Sequence, residues 1–225
     1  MIKFDEVTKR FALGNTAVEK VSFTIDDNEF VFLVGPSGAG KTTILKLILR
    51  EYLPTSGSIL INDLDISSKN FHDTVMLRRS IGVVFQDFKI LPDKDVFENV
   101  ALSLNVVGTQ RLEVKKQVKN ALELVSLSKK EHVFPAQLSA GELQRVAIAR
   151  AIIGDRTLLL ADEPTGNLDP KTSWEIMKIF KKLEGKRTII VATHNTDIVN
   201  SMQKRVLVMK DGLLAKDNRK GGYEL

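Results

Sequence analysis

The 225-residue sequence predicts an α/β fold. It consists of a mostly parallel sheet, an N-terminal antiparallel β-subdomain and an α-helical subdomain inserted between strands. Three observations carry this. Continuous apolar runs of strand length, at 30–34, 157–161 and 188–192, mark strands covered on both faces. Helical patterns follow these runs, the order that joins parallel strands through helices. Between residues 96 and 154 strand patterns give way to helix, which marks the inserted lobe.

Each element has its own signal. Ile2 and Phe4 alternate with polar neighbours, and Val21, Phe23 and Ile25 do so again. Two half-buried strands are expected there, with Gly14-Asn15 as the turn signal. The run 30–34 leads directly into GPSGAGKTT and then a helix carrying Ile44, Leu45, Leu47, Ile48 and Leu49. Residues 58–61 and 81–85 read as further strands. Over 112–127, Leu112, Val114, Val118, Ala121, Leu122 and Val125 recur as the apolar side of a helix, and 143–153 is a second strong case. Asp169 followed by Pro170 reads as an N-cap with proline at the first helical position, and Gly185 as a stop. Ile176, Ile179, Phe180 and Leu183 form that helix's buried stripe. Residues 206–209 and 213–215 flank Asp211-Gly212 as a hairpin.

Composition narrows the function classes. No apolar run approaches the ~18–20 residues of a membrane-spanning helix, and MIKFDEVTKRF lacks a signal-peptide apolar stretch. A cytosolic protein is expected. With no cysteine, disulfides and thiol-based metal or redox chemistry are excluded, and His72, His132 and His194 are too far apart for a local zinc motif. The net charge of +5 is spread along the chain, the pattern of a solvated surface, so no nucleic-acid partner is expected.

GPSGAGKT fits G-x-x-x-x-G-K-[ST] between a strand and a helix. Gly35, Pro36, Ser37, Gly38, Ala39, Gly40, Lys41, Thr42 and Thr43 are therefore expected to bind ATP. Backbone N–H groups wrap the phosphates there, Lys41 reaches the β- and γ-phosphates, and the Thr42 hydroxyl holds Mg²⁺. LLLADEP is an apolar run ending in two carboxylates. Asp162 suits the Mg²⁺ shell, and Glu163 suits a group that orients or deprotonates the attacking water. His194 lies just past a core strand, on the edge where such sheets bind ligands, although a lone histidine is more often structural. Gln86, ending VVFQ, is ambiguous in the same way. Phe11 has two readings, stacking on adenine or packing the N-terminal sheet. In LSAGELQ, Ser139 and Glu142 form a capping box, yet the small glycine-containing tip also suits an anion. One chain thus carries two helix ends suited to phosphate.

The order of these parts resembles that of the ATP-binding cassette ATPases over nearly the whole length. That resemblance implies a P-loop NTPase (RecA-like) core and one domain spanning 1–225. Residues 1–86 and 156–225 would form the nucleotide-binding core with its β-subdomain, and 87–155 the helical signature subdomain. It implies a Mg²⁺-dependent ATPase in which Phe11 stacks on adenine and Gln86 senses Mg²⁺ and the nucleophile. Glu163 would be the catalytic carboxylate, and His194 would contact the γ-phosphate. It implies a homodimer that forms on ATP, with Asn167, Leu168 and Asp169 in the loop crossing between subunits. Ser139, Ala140, Gly141 and Glu142 would meet the ATP held by the second subunit. The sequence departs from the commonest family forms at Phe11, more often tyrosine, and at Ala140 and Glu142 in the signature.

FQDFKILPDKDVFENVALSL and VATHNTDIV resemble the bacterial cell-division branch of the family. EPTGNLDP is shared with LolD- and MacB-type cassettes, which keeps a lipoprotein or efflux system as an alternative. The cell-division resemblance implies an FtsX-like integral membrane partner and control of peptidoglycan hydrolases from the cytoplasmic side of the plasma membrane. It implies no small-molecule substrate beyond ATP. A DNA-associated cassette carries long coiled coils, but fewer than a hundred residues separate Thr42 from Ser139. A non-catalytic nucleotide sensor is the other reading. The expected docking surface is a groove between core and helical block beginning at residues 86–91. There Phe88, Ile90 and Leu91 form either an apolar patch or lobe core. The basic tail with Lys216, Arg219 and Lys220 suits anionic lipid or solvent equally.

Overall fold

The computed structural model describes residues 1–12 and 14–222. In chain order the elements are β1 (Ile2–Arg10), β2 (Thr16–Ile25), β3 (Phe30–Val34), α1 (Lys41–Ile48), β4 (Ser56–Ile61), β5 (Leu64–Asp65) and α2 (Thr74–Ser80). There follow β6 (Ile81–Val84), α3 (Val96–Val106), α4 (Arg111–Leu124), α5 (Ala140–Ile152), β7 (Leu158–Asp162) and α6 (Pro170–Leu183). The chain ends in β8 (Thr188–Thr193), α7 (Thr196–Met202), β9 (Arg205–Lys210) and β10 (Leu213–Asn218). These elements fall into two compact units, Met1–Arg79 with Glu184–Leu225, and Ser80–Leu183.

In the first unit every residue of β3 and β8 is buried, which is why β3 and the β8 stretch between Thr188 and Thr193 are continuously apolar rather than alternating. β3 runs parallel to both β8 and β9, and β10 closes on β9 as the expected hairpin. The N-terminal strands form a separate antiparallel sheet in the order β2-β1-β4-β5. Phe4 and Phe23 face each other across β1 and β2 and stack at 4.5 Å, so the alternation seen in sequence becomes a buried cross-strand pair. Arg205 is 4% exposed and would be costly there alone. Its guanidinium donates to Asp217 at 2.8 and 2.7 Å, to Glu29 at 3.1 and 3.0 Å, and to the Thr24 carbonyl at 2.8 Å. This ties the hairpin to the end of β2. Of the basic tail, Lys216 lies on β10, and the last three residues, 223–225, lie outside the described residues.

In the second unit β6 and β7 pair in parallel, and α3, α4 and α5 bury their apolar sides together. Val114, Val118, Ala121, Leu122 and Val125 are buried as their spacing predicts. Leu112 is not: it is 83% exposed, because two residues before Val114 falls on the opposite side of a 3.6-residue helix. Asn99, fully buried on α3, accepts from Leu91 N–H and donates to the Leu91, Lys94 and Asp95 carbonyls, which fixes the chain entering that helix. No helix of the described residues is long and apolar enough to cross a membrane.

Candidate functional site

The residues singled out in the sequence form local groups in each unit. In the first, β3 delivers the chain into the loop 35–42. Gly35 has φ +148°, and a Cβ there would lie 2.2 Å from the Met209 carbonyl oxygen; Gly40, φ +102°, would meet the Ala17 carbonyl at 2.5 Å. Both positions therefore require glycine. Gly40 is the N-cap of α1, and no acidic residue stands in that helix's first turn. The Lys41 stem is buried, and its ammonium donates to the Gly35 carbonyl at 2.7 Å and the Pro36 carbonyl at 3.2 Å. The cation is thus held over the loop by the loop itself. Pro36, Ser37, Gly38 and Thr42 are exposed, Thr43 is half-buried and Ala39 is buried.

Phe11 follows β1 in the turn closed by Phe11 N–H to the Asn15 carbonyl. Its half-buried ring meets Tyr52 edge-on at 5.2 Å, with Lys9 Nζ 5.4 Å from the ring centroid. It therefore packs in an aromatic–cation group. His194 directly follows β8 and is exposed. The next residue, Asn195, caps α7 through Ile198 N–H at 3.1 Å.

In the second unit, Asp162 closes β7 and Glu163 stands in a left-handed conformation, φ +47°, immediately before Pro164. A branched-free but bulky residue in that region, before proline, stores on the order of 1–3 kcal/mol of backbone strain. The turn that holds it is well supported. Gly166 N–H donates to the Glu163 carbonyl at 3.1 Å, and Leu168 N–H donates to the Thr165 carbonyl at 3.2 Å. Asn167 and Gln86 bridge in both directions: Nδ2 donates to the Gln86 carbonyl at 3.3 Å, and Gln86 Nε2 to Asn167 Oδ1 at 3.5 Å. The structure thus brings Gln86, Glu163 and Asn167 onto one pair of loops.

Ser139 caps α5 as its spacing predicts. Its hydroxyl accepts from Glu142 N–H at 3.3 Å, and the Glu142 carboxylate accepts from Ser139 N–H at 3.0 Å. Lys130 donates to the same carboxylate at 2.5 Å. The Lys130 ammonium first, then the Ser139 backbone, hold the Glu142 carboxyl below its ordinary value. Ala140 is exposed at the tip. Gly141 is buried against α6, where a Cβ would fall 2.4 Å from Thr172 Cγ2. Thr172 is in turn held by Asp169, which accepts its hydroxyl at 2.5 Å and its N–H at 3.0 Å as cap of α6. The signature residues and the 167–169 loop are therefore packed as one body. Leu168, half-buried, lends its carbonyl to the Ser173 hydroxyl at 3.5 Å. At the expected docking segment Phe88 and Ile90 are half-buried and Leu91 is 37% exposed, so none of the three is core.

Two residues escaped sequence reasoning. Arg150 on α5 donates to the Phe88 carbonyl at 2.9 Å and the Lys89 carbonyl at 2.7 Å, pinning two consecutive left-handed residues just after Gln86. Burial pushes its guanidinium below the usual range. Gln144, 1% exposed on the same helix, donates to the Pro164 carbonyl at 2.6 Å. The available signal was a glutamine in phase with Ile148 and Ala151 on the apolar side of α5.

The sequence profile of the ABC transporter family matches residues 18–166. The chain is 50% identical to the cell division ATP-binding protein FtsE of Bacillus subtilis, over 99% of this chain and 98% of the relative. It is 40% identical to FtsE of Escherichia coli, over 95% and 97% respectively. Among solved structures, the dimeric bacterial ABC transporter cassette MJ0796 superposes with a TM-score of 0.88 at 35% identity, over 99% of this chain and all of that one. A second MJ0796 dimer, described as a post-hydrolysis state bound to ADP and Pi, gives 0.88 at 34% over the same shares. By sequence and by fold, the chain belongs to the ATP-binding cassette (ABC) transporter family.

Proposed function

We propose that this chain is the ATP-binding and hydrolysing subunit of an FtsEX-type complex in bacterial cell division, peripheral on the cytoplasmic face of the plasma membrane. The observation that carries the ATPase reading is the 35–42 loop, whose glycines bring backbone into close approach and whose ammonium is held over it. Such a loop at a helix N-terminus is built for polyphosphate. Near full-length similarity to proteins named FtsE supports the cell-division role.

In this reading the loop 35–43 wraps the phosphates and Phe11 stacks on adenine. Hydrolysis is in-line: the bond from water oxygen to Pγ forms as the bond from Pγ to the β,γ-bridging oxygen breaks, and ADP leaves. Glu163 orients the water and takes its proton. Lys41 offsets charge on the γ-phosphate, and His194 and Gln86 position that phosphate and the water. Thr42, Gln86 and Asp162 would hold Mg²⁺. Their hydroxyl, amide and carboxylate oxygens are the hard donors this ion takes, and it supplies neutralisation of phosphate charge. Among the described residues no cluster of three or more His, Cys, Asp or Glu could hold a metal. That is ordinary for an ion whose remaining ligands are phosphate and water.

Two chains complete the sites. Ser139, Ala140, Gly141 and Glu142 of one copy meet the ATP of the other, with Asn167, Leu168 and Asp169 in the crossing loop. ATP binds the closed dimer better than the open one, so hydrolysis releases the clamp. An FtsX-like integral membrane protein would carry that cycle to peptidoglycan hydrolases. The whole chain acts as one domain, with 87–155 as signature subdomain and 86–91 as the start of the docking surface.

Glu163→Gln is expected to retain ATP binding, slow hydrolysis at least ~100-fold and accumulate an ATP-bound dimer in sizing chromatography. A monomeric, fully active variant contradicts the mechanism. Copurification of an FtsX-like protein with a large extracytoplasmic domain supports the cell-division role; a lipoprotein-release permease overturns it.

A further inference from the structure

We propose that Gln144 is a positioning residue for hydrolysis: its amide, donating from the buried side of α5 to the Pro164 carbonyl, sets the strained turn on which Glu163 stands. The inference rests on Glu163 being the carboxylate that orients water.

The chemistry at Gln144 is specific. The side chain is 1% exposed, and its neighbours in phase on α5, Ile148 and Ala151, are buried apolar residues. Only Nε2 can donate to a carbonyl, so the amide's orientation is settled by its partner at 2.6 Å. Its other atom, Oε1, is buried with no hydrogen-bond partner. Burying an amide for a single bond is a poor way to gain stability, since an apolar side chain of similar volume leaves no orphaned oxygen. Pro164 and Thr165 are themselves buried, so water does not compete for the Pro164 carbonyl.

What the bond acts on is the second part of the argument. Glu163 adopts φ +47° directly before proline, a conformation that persists only where its surroundings over-determine it. On one side the turn is closed by its own backbone and by the Asn167–Gln86 bridge. On the other side Gln144 holds Pro164, one residue beyond Glu163. The same helix begins at Ser139, so one rigid rod carries both the capped signature end and the amide that aims Glu163. A carboxylate that must stand in line with a water tolerates little displacement, and an ångström of misplacement is enough to slow such a reaction severely.

The test is steady-state hydrolysis with ATP titration for Gln144→Met, which keeps volume and removes the donor, in wild-type and Glu163→Gln backgrounds. In the wild-type background kcat is expected to fall roughly 10- to 100-fold, with KM for ATP changed less than about twofold. In Glu163→Gln the same change should alter residual hydrolysis less than about twofold, because the two residues act as a unit. Equal losses in both backgrounds, or unchanged kcat in a folded variant, overturn the proposal. If Glu163→Gln itself hydrolyses normally, the assignment of Glu163 fails instead, a result distinct from either. Should Gln144→Met not fold, Gln144→Asn keeps an amide one methylene too short. Amide exchange at Gly166, whose N–H closes the Glu163 turn, should then speed up; unchanged exchange and kcat contradict the role.

Discussion

The N-termini of α1 and α5 both suit an anion, yet they are built in opposite ways. At α1 the cap is Gly40, which has no side chain, and the first turn holds no acidic residue. At α5 the cap is Ser139, reciprocated by Glu142, whose carboxylate is further paired with Lys130. The first end thus presents backbone donors and a lysine with nothing anionic of its own. The second carries an internal anion and stands complete as a helix cap in a single chain. Within one chain, therefore, the α1 end is left open to an anion while the α5 end is completed by its own side chains.

The comparison breaks most visibly at Lys41 and Ser139. Lys41→Ala should weaken ATP binding to the isolated chain roughly 10- to 100-fold, the worth of a charge-assisted contact, in a nucleotide titration. Ser139→Ala should leave that titration unchanged and lower unfolding free energy by about 1 kcal/mol through the lost cap. Weakened ATP binding by the monomeric Ser139→Ala variant contradicts the division of roles.

Gly141→Ala probes how tightly the signature is joined to α6. A methyl there would lie 2.4 Å from Thr172 Cγ2, so the variant should lose about 1–3 kcal/mol in chemical denaturation. Thr172→Ser in the same chain removes that methyl, keeps the hydroxyl on Asp169, and should recover most of the loss. Failure to recover would place the strain elsewhere.

Acid should separate the two helix ends more gently. Lys130 and the Ser139 backbone hold the Glu142 carboxyl below its ordinary 4.5, so the ionised form favours the fold. Its contribution is complete above that value and is lost as pH falls through the lower folded-state value. Exchange protection in the first turn of α5 should decline on such acidification, while the first turn of α1, with no acidic residue, shows no loss from this cause. Asp169, held low chiefly by the Thr172 hydroxyl, should behave as Glu142 does at the start of α6. The smallest effect is that of Glu142→Gln. It keeps a capping residue and loses the Lys130 pair, so stability should change by less than about 1 kcal/mol and its acid dependence should disappear.

Legibility followed the range of the forces involved. The apolar runs that became β3, β7 and β8, the 35–42 loop and the caps at Ser139 and Asp169 are written in residues within about one turn of each other. Helix α2, seven residues with only Leu77 buried, has no stripe to read. The hold of Gln144 on Pro164 joins residues 20 apart, and that of Arg150 on Phe88 joins residues 62 apart, so neither shows in a local pattern. The left-handed Glu163 was invisible for another reason: nothing in Asp-Glu-Pro favours that conformation, and only the surrounding bonds impose it.

The division of the two helix ends between different ATP molecules is most directly tested by mixing inactive chains. Lys41→Ala and Ser139→Ala proteins, each with little hydrolysis alone, are combined in equal amounts and ATP turnover is measured. If each site joins one chain's 35–42 loop to the other's α5 end, a mixed dimer holds one site with both elements intact, and turnover rises well above the sum of the separate proteins. If both elements serve the same chain's ATP, every site in the mixture lacks one of them and turnover stays at that sum.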